Sequence, residues 1–446
     1  MTRLFGTDGV RGVANKDLSP ELALAVGRGA AEFFRAGTGK RPKIFVGIDT
    51  RVSSDMIEAA LCAGLCSGGA DVLRLSAITT PAVAYLTRAN GADGGAVISA
   101  SHNPFEYNGI KFFSREGYKL SDDAEDKIEH LSRTSSARPA ITGSGIGRVE
   151  ADPELVDQYI DYLIREASRS FRGLRLVIDC ANGSASAISP RTFRRLGAEV
   201  FPVHNKPDGV NINVGCGSTE VESLRKAVVA QKADAGLAHD GDGDRLIAVD
   251  ETGAVLDGDY IMAICGLQML RKGTLHDRTV VATIMSNIGL DIAFRKASGR
   301  VVKTRVGDRY VLEQMRREGY KLGGEQSGHI VFTDSSTTGD GILTGIKLLD
   351  VMKDTGMPLS RLARQMERLP QVLLNVRVGQ AARYEGNPRI AIAIEDAEEE
   401  LGDRGRVVVR PSGTEPMIRI MVEAEREDKA NEVAKRLAEA IRKELE

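Results

Sequence analysis

Short apolar runs recur along the chain, each closed by small polar residues and followed by a stretch with helical spacing of its apolar positions. One order of features appears three times: an apolar run, a polar loop, a helical pattern, a glycine near the helix end, and a second apolar run. It passes through Lys43–Asp49 and Gly69–Leu75, then Leu174–Asp179 and Gly197–Val203, then Thr279–Met285 and Gly299–Thr304. Strands alternating with helices in this way predict parallel α/β units, and the recurrence predicts internal repetition. After Leu369-Pro370 the pattern changes to strand runs followed by a charged helix from about Glu427, which predicts a smaller α+β domain. Pro139–Ala151, with three glycines inside it, reads as a linker, and another boundary falls near Val255–Asp259. The expected domains are residues 1–150, 151–255, 256–369 and 370–446.

Several of these runs end in loops that carry candidate chemistry. Ala96–Ile98 stops at Ser99-Ala100-Ser101-His102-Asn103-Pro104, so the strand is expected to deliver Ser101 to an exposed loop. After the turn at Asn108-Gly109, Ile110–Phe113 resumes as a strand with Lys111 in it. A serine hydroxyl needs a base or a cation to become a nucleophile, and His102 and Lys111 are the local candidates. A Ser-His turn without chemistry is the alternative; a Gly-x-Ser-x-Gly hydrolase elbow is absent.

Asp240, Asp242 and Asp244 alternate with glycines, which turns three carboxylates to one side, where a hard cation such as Mg2+ would relieve their repulsion. The spacing also fits part of an EF-hand, but Arg245 occupies the position that needs glycine, and Leu246–Val249 reads as a strand. An acidic turn in water is the other reading. Glu325, Ser327 and His329 alternate in a loop of the third repeat and offer groups suited to polyol hydroxyls. Arg410, Ser412, Gly413, Thr414 and Arg419 lie in or beside a turn between two strands, a composition suited to cradling phosphate. Near the N-terminus, Phe5–Gly12 is a glycine-dense loop in which Arg11 could meet a phosphate or serve a purely structural turn.

Composition narrows the classes. With 446 residues the chain exceeds one core, and 42% hydrophobic and 27% charged residues describe a soluble globular protein. A net charge of −2 gives no general attraction to nucleic acid or an anionic membrane, so an anionic small molecule would be held by local Lys and Arg clusters. Five cysteines do not make a disulfide framework in a chain this long; with no transmembrane run or apolar signal segment, a reduced, cytoplasmic location is expected.

Five stretches, Gly6–Gly12, Ser99–Pro104, Asp240–Arg245, Gly324–His329 and Arg410–Pro416, together resemble the α-D-phosphohexomutases, in order and across the whole chain. The resemblance implies three similar mixed α/β domains and a C-terminal α+β domain of TATA-binding-protein-like fold around a central cleft. It also implies that Ser101 is a phosphoserine that exchanges phosphoryl groups with a hexose phosphate through a bisphosphate, with Mg2+ held by Asp240, Asp242, Asp244 and the serine phosphate. Arg245 would then steady the phosphoserine, while His102, Lys111 and His329 serve proton transfer or charge stabilisation, with Arg11 nearby. Glu325 and Ser327 would bind the sugar, and Arg410, Ser412, Gly413, Thr414 and Arg419 the phosphate that is not reacting. Gly-Glu-Gln-Ser-Gly-His and Phe5–Gly9 are similar to the phosphoglucosamine branch, which implies glucosamine 1,6-bisphosphate as intermediate and activator. Tyr107 resembles instead the phosphomannomutase/phosphoglucomutase branch, which is the alternative. The expected partner is a small sugar phosphate, with no nucleic acid and no membrane; a homodimer is left open.

Overall fold

The computed structural model describes residues 3–6, 8–134, 139–152, 154–378, 386–411 and 417–445. In each repeat the two expected strands pair in parallel: Lys43–Ile48 with Asp71–Ala77, Arg175–Asp179 with Glu199–Val203, and Thr279–Thr283 with Arg300–Thr304. The first strand of each pair also takes a second parallel neighbour, Gly94–Ile98, Ala235–His239 or Leu322–Gly324. That neighbour then turns back into an antiparallel strand, Tyr107–Ser114, Leu246–Asp250 or Ile330–Phe332. The serine, acidic and Glu325 loops are therefore the same hairpin in three successive repeats. Each hairpin begins where a strand buried along its length reaches the sheet end, so its polar tip must find partners outside its own sheet.

The three repeats share one core. Helices Thr80–Ala89, Leu155–Glu166 and Gly341–Thr355 pack between the sheets, joining Phe45, Ile178 and Val280 in a continuous apolar cluster. Tyr159 and Tyr162 cross from the second unit to the third, donating to Asp340 (2.6 Å) and to the Ser335 carbonyl (2.8 Å). A three-stranded antiparallel sheet, Arg406–Pro411, Met417–Glu423 and Gln371–Arg377, forms the C-terminal unit with helices Pro388–Leu401 and Glu427–Leu445. It docks on the third unit through Glu423, which accepts from Asn287 Nδ2 (2.9 Å) and Ile288 N (3.0 Å).

The expected linker is only partly one. Val149–Ala151 adds a parallel edge strand to the first sheet beside Asp71–Ala77. Gly147 makes this approach feasible, because a Cβ there would stand 1.7 Å from the Ala70 carbonyl oxygen. Among the described residues no helix is long and apolar enough to cross a membrane.

The buried Asp259 gives a stability expectation. Burial, and then the nearby Asp257 charge, push its carboxyl up to about 7, while the Asn287 amide donates to it at 2.8 Å. Above pH 7 the folded protein carries the full penalty of the charge. As the pH falls from 7 towards 4 the folded state takes up a proton that the unfolded chain does not, so the wild-type protein gains stability. Asp259→Asn keeps an acceptor for Asn287 and mimics the protonated form. It is expected to stabilise by on the order of 2–4 kcal/mol at pH 8, an advantage that disappears near pH 4–5. Denaturant unfolding at the two pH values checks this; an equal effect at both would place the penalty elsewhere.

Candidate active site

Ser101 follows the buried strand Gly94–Ile98 with φ +49, a left-handed conformation that costs a non-glycine residue and must be held by its surroundings. Its amide donates to Ser99 Oγ (2.9 Å), and its carbonyl accepts from Arg51 Nη2 (2.8 Å) and from Asn213 Nδ2 (2.9 Å) of the second unit. Asp49 fixes this frame by accepting from Arg51 Nε (2.8 Å) and Ser99 Oγ (2.6 Å). The loop was expected to be exposed, yet Ser101 is only 2% accessible. The acidic hairpin of the second unit covers it, so closely that a Cβ on Gly241 would lie 2.6 Å from the Ser101 carbonyl oxygen. A burial that depends on a loop 139 residues away has no local signature.

The Ser101 hydroxyl donates to Asp240 Oδ2 at 2.6 Å and lies 3.3 Å from His102 Nδ1. Burial, then the Arg245 and Arg11 charges, push His102 down to about 4, so the imidazole is neutral near pH 7. Lys111 reaches Asp242 (3.2 Å) and Asp8 (2.9 Å); burial opposes its charge, but these two carboxylates hold it protonated above its ordinary value.

Asp240, Asp242 and Asp244 each present an oxygen within 4.8 Å of the other two, and all three are buried. Burial and mutual repulsion raise Asp240 and Asp244, whereas Lys111, Asp240 and the Thr80 hydroxyl (2.7 Å) overcome burial and keep Asp242 low. Asp242 Oδ1 and Asp244 Oδ1 are buried without any hydrogen-bond partner. An all-oxygen donor set with two such atoms, facing a serine hydroxyl, fits a hard divalent cation.

The third hairpin joins this pair. Arg245 and His329 form a β-bridge, and His329 Nε2 stands 3.8 Å from Asp244 and 3.6 Å from Asp308. Arg245 Nε lies 4.0 Å from Asp240 and 3.9 Å from Asp244. Glu325 accepts from the Gly307 amide (3.0 Å) and is approached by Ser327 Oγ at 3.5 Å. A cavity of about 360 Å3 opens among these loops, lined by Ser101, Arg11, Asp244, Arg245, Glu325 and His329 together with Arg3, Lys119, Arg309 and Tyr310.

Sequence reasoning missed the cross-links that close the floor of this cavity. Asp8 accepts from Arg11 (2.6 Å) and Lys119 (2.8 Å) as well as pairing with Lys111, and Lys119 also binds Asp308. Asp8 sits inside the glycine-dense loop Phe5–Gly12. Lys119 had no such context, since its partners lie 111 and 189 residues away.

Arg410 and Arg419 face each other across two strands, a placement of like charges that an anion would relieve. Neither lines the cavity, and Ser412, Gly413 and Thr414 lie outside the described residues.

Three repeats of one hairpin thus surround a buried serine and a carboxylate triplet, an arrangement suited to phosphoryl transfer. The chain belongs to the phosphoglucomutase/phosphomannomutase family, matching its α/β/α domain I over residues 2–138, domain II over 157–253, domain III over 257–369 and C-terminal domain over 373–440. It is 53% identical to a phosphoglucosamine mutase of Desulforudis audaxviator, over 99% of this chain and 98% of that one. It is 54% identical to a phosphoglucosamine mutase of Pelotomaculum thermopropionicum, over 98% and 99% of the two chains. A phosphoglucomutase/phosphomannomutase family protein of Burkholderia thailandensis shares the fold, with a TM-score of 0.83 at 23% identity over 98% and 97% of the chains.

Proposed function

We propose that this protein interconverts glucosamine 6-phosphate and glucosamine 1-phosphate in the cytoplasm through glucosamine 1,6-bisphosphate, with Ser101 as the phosphoryl carrier. The observation that carries the chemistry is the Ser101 hydroxyl 2.6 Å from Asp240, beside the unpartnered oxygens of Asp242 and Asp244, at the edge of the cavity that holds Glu325. The sugar is supported by the names of relatives more than half identical over nearly the full chain. Tyr107, which favours the other branch, is 38% exposed and does not line the cavity.

Phosphoserine loses its phosphoryl group to the free hydroxyl of the sugar phosphate: the Ser101 Oγ–P bond breaks, a sugar O–P bond forms, and the hydroxyl proton must leave. The bisphosphate turns, and its other phosphate returns to Ser101. Mg2+ held by Asp240, Asp242, Asp244 and the serine phosphate would neutralise charge on the transferring group. Neutral His102 and the nearby His329 are placed to take or return the proton, and Lys111, Arg11 and Arg245 place positive charge around the phosphoryl oxygens. Glu325 and Ser327 offer hydrogen bonds to the sugar, the former to hydroxyls or to an ammonium at C2. Arg410 and Arg419, with Ser412, Gly413 and Thr414, are proposed to hold the distal phosphate.

Comparing kcat/KM for glucosamine 6-phosphate, glucose 1-phosphate and mannose 1-phosphate, each with its bisphosphate, tests the sugar. Glucosamine phosphate is expected to lead by about tenfold or more; faster turnover of glucose or mannose phosphate would overturn the assignment while leaving the mutase chemistry in place. Arg419→Ala is expected to raise KM by about tenfold and to let bisphosphate escape during turnover, measured as released intermediate. An unchanged KM would remove Arg419 from the phosphate site.

A further inference from the structure

Outside the cleft, a second set of ligating side chains meets at the end of strand Arg175–Asp179. Asp179 and Cys216 are fully buried, and His204 Nδ1 lies 3.0 Å from Asp179 Oδ2. The carboxylate oxygen, the imidazole nitrogen and the Cys216 sulfur all lie within 4.8 Å of one another. His204 Nδ1 is itself buried and faces the Asp179 carboxylate. The backbone is bent to bring these groups together: Ala181, Asn182, His204 and Asn213 have φ of 54, 48, 46 and 61°. Four non-glycine residues in the left-handed region within one cluster are held only where the surroundings demand it. Asp179 ties the loops by accepting from Ala181 N (2.9 Å) and Gly217 N (3.0 Å).

This donor set differs in kind from the acidic triplet. Sulfur, imidazole and a single carboxylate suit a borderline-soft ion, whereas three carboxylates suit Mg2+. Three protein ligands also leave a fourth position, and the His204 side chain is 30% exposed, which provides a path from solvent. We propose that Asp179, His204 and Cys216 form a second cation site, selective for divalent ions of the Zn2+ class and separate from the site at Ser101. The site lies beneath the loop that carries Asn213, whose amide donates to the carbonyls of Ser101 (2.9 Å) and Asn103 (3.2 Å). Binding forms a metal–sulfur bond and releases the thiol proton to solvent.

Co2+ serves as the probe, because a cobalt–thiolate bond gives a charge-transfer absorption that carboxylate or imidazole ligation does not. Full-length protein saturated with Mg2+, so that the acidic triplet is filled, is titrated with Co2+ near pH 8. The expected result is a thiolate band that saturates near one equivalent, is displaced by Zn2+, and is lost in both Cys216→Ser and His204→Gln. Should the serine variant fold poorly, the partly exposed His204 position carries the test alone. A wild-type protein without the band, or a band that persists in a folded variant, overturns the proposal and leaves an Asp-His pair beside an inert thiol.

Discussion

Ser101→Ala is expected to lower turnover by about three orders of magnitude or more while the protein remains folded. The serine hydroxyl has no part in the apolar core; it meets Asp240 Oδ2 and approaches His102, and both lie in the site. The strained backbone at this position is held by Arg51 and Asn213 through the carbonyl, and an alanine keeps those bonds. Asp240 also keeps the Arg245 amide as a donor, at 3.2 Å. The melting temperature should therefore move by no more than about 4 °C. Mutase assays with added bisphosphate, thermal melts and intact-mass spectra together check this, with phosphate on the wild-type serine and none on the variant. Turnover above a tenth of the wild-type rate would rule out Ser101 as the carrier.

For Asp242→Asn the expected loss of turnover is about a hundredfold or more, together with loss of any stabilisation by Mg2+. A ligand that binds the folded state raises the melting temperature by an amount that grows with the logarithm of its concentration above Kd, so Mg2+ titration of both proteins reads the site without a turnover assay. Removing one of three crowded carboxylates relieves repulsion on Asp240 and Asp244, and the asparagine oxygen still accepts from the Thr80 hydroxyl. Lys111 loses one anionic partner and keeps Asp8. These changes offset, so metal-free stability should alter little. An equal Mg2+-induced shift in both proteins would remove Asp242 from the cation site.

Much of this architecture is written in neighbouring residues. The apolar runs at Lys43, Leu174 and Thr279 specify strands because burial on both sheet faces demands continuous hydrophobicity, and the following helices impose parallel pairing. Lys111 could be placed beside the serine loop because the chain returns antiparallel there, although the turn falls at residues 101–106 and the expected turn residues Asn108-Gly109 lie inside strand Tyr107–Ser114. The acidic triplet was visible for a similar reason, since alternate carboxylates must be close whatever surrounds them.

Other features depend on residues far apart in sequence, and periodicity carries no record of them. The Val149–Ala151 segment looked like a linker because a three-residue edge strand has too little pattern to register, and only the open edge of Asp71–Ala77 makes it a strand. That Lys119 ties Asp8 to Asp308 depends on three units docking, as does the burial of Ser101 under Gly241. Asp179, His204 and Cys216 each sit in unremarkable polar or apolar context and meet only because left-handed turns fold two loops over one strand end. The sequence by itself determined the repeats, the strands and the residues at their ends, because those follow from local burial and turn chemistry. Tertiary structure alone decided that three equivalent hairpins face one cavity and which charges they share there, because electrostatic pairing acts through space and leaves the order of residues along the chain unconstrained.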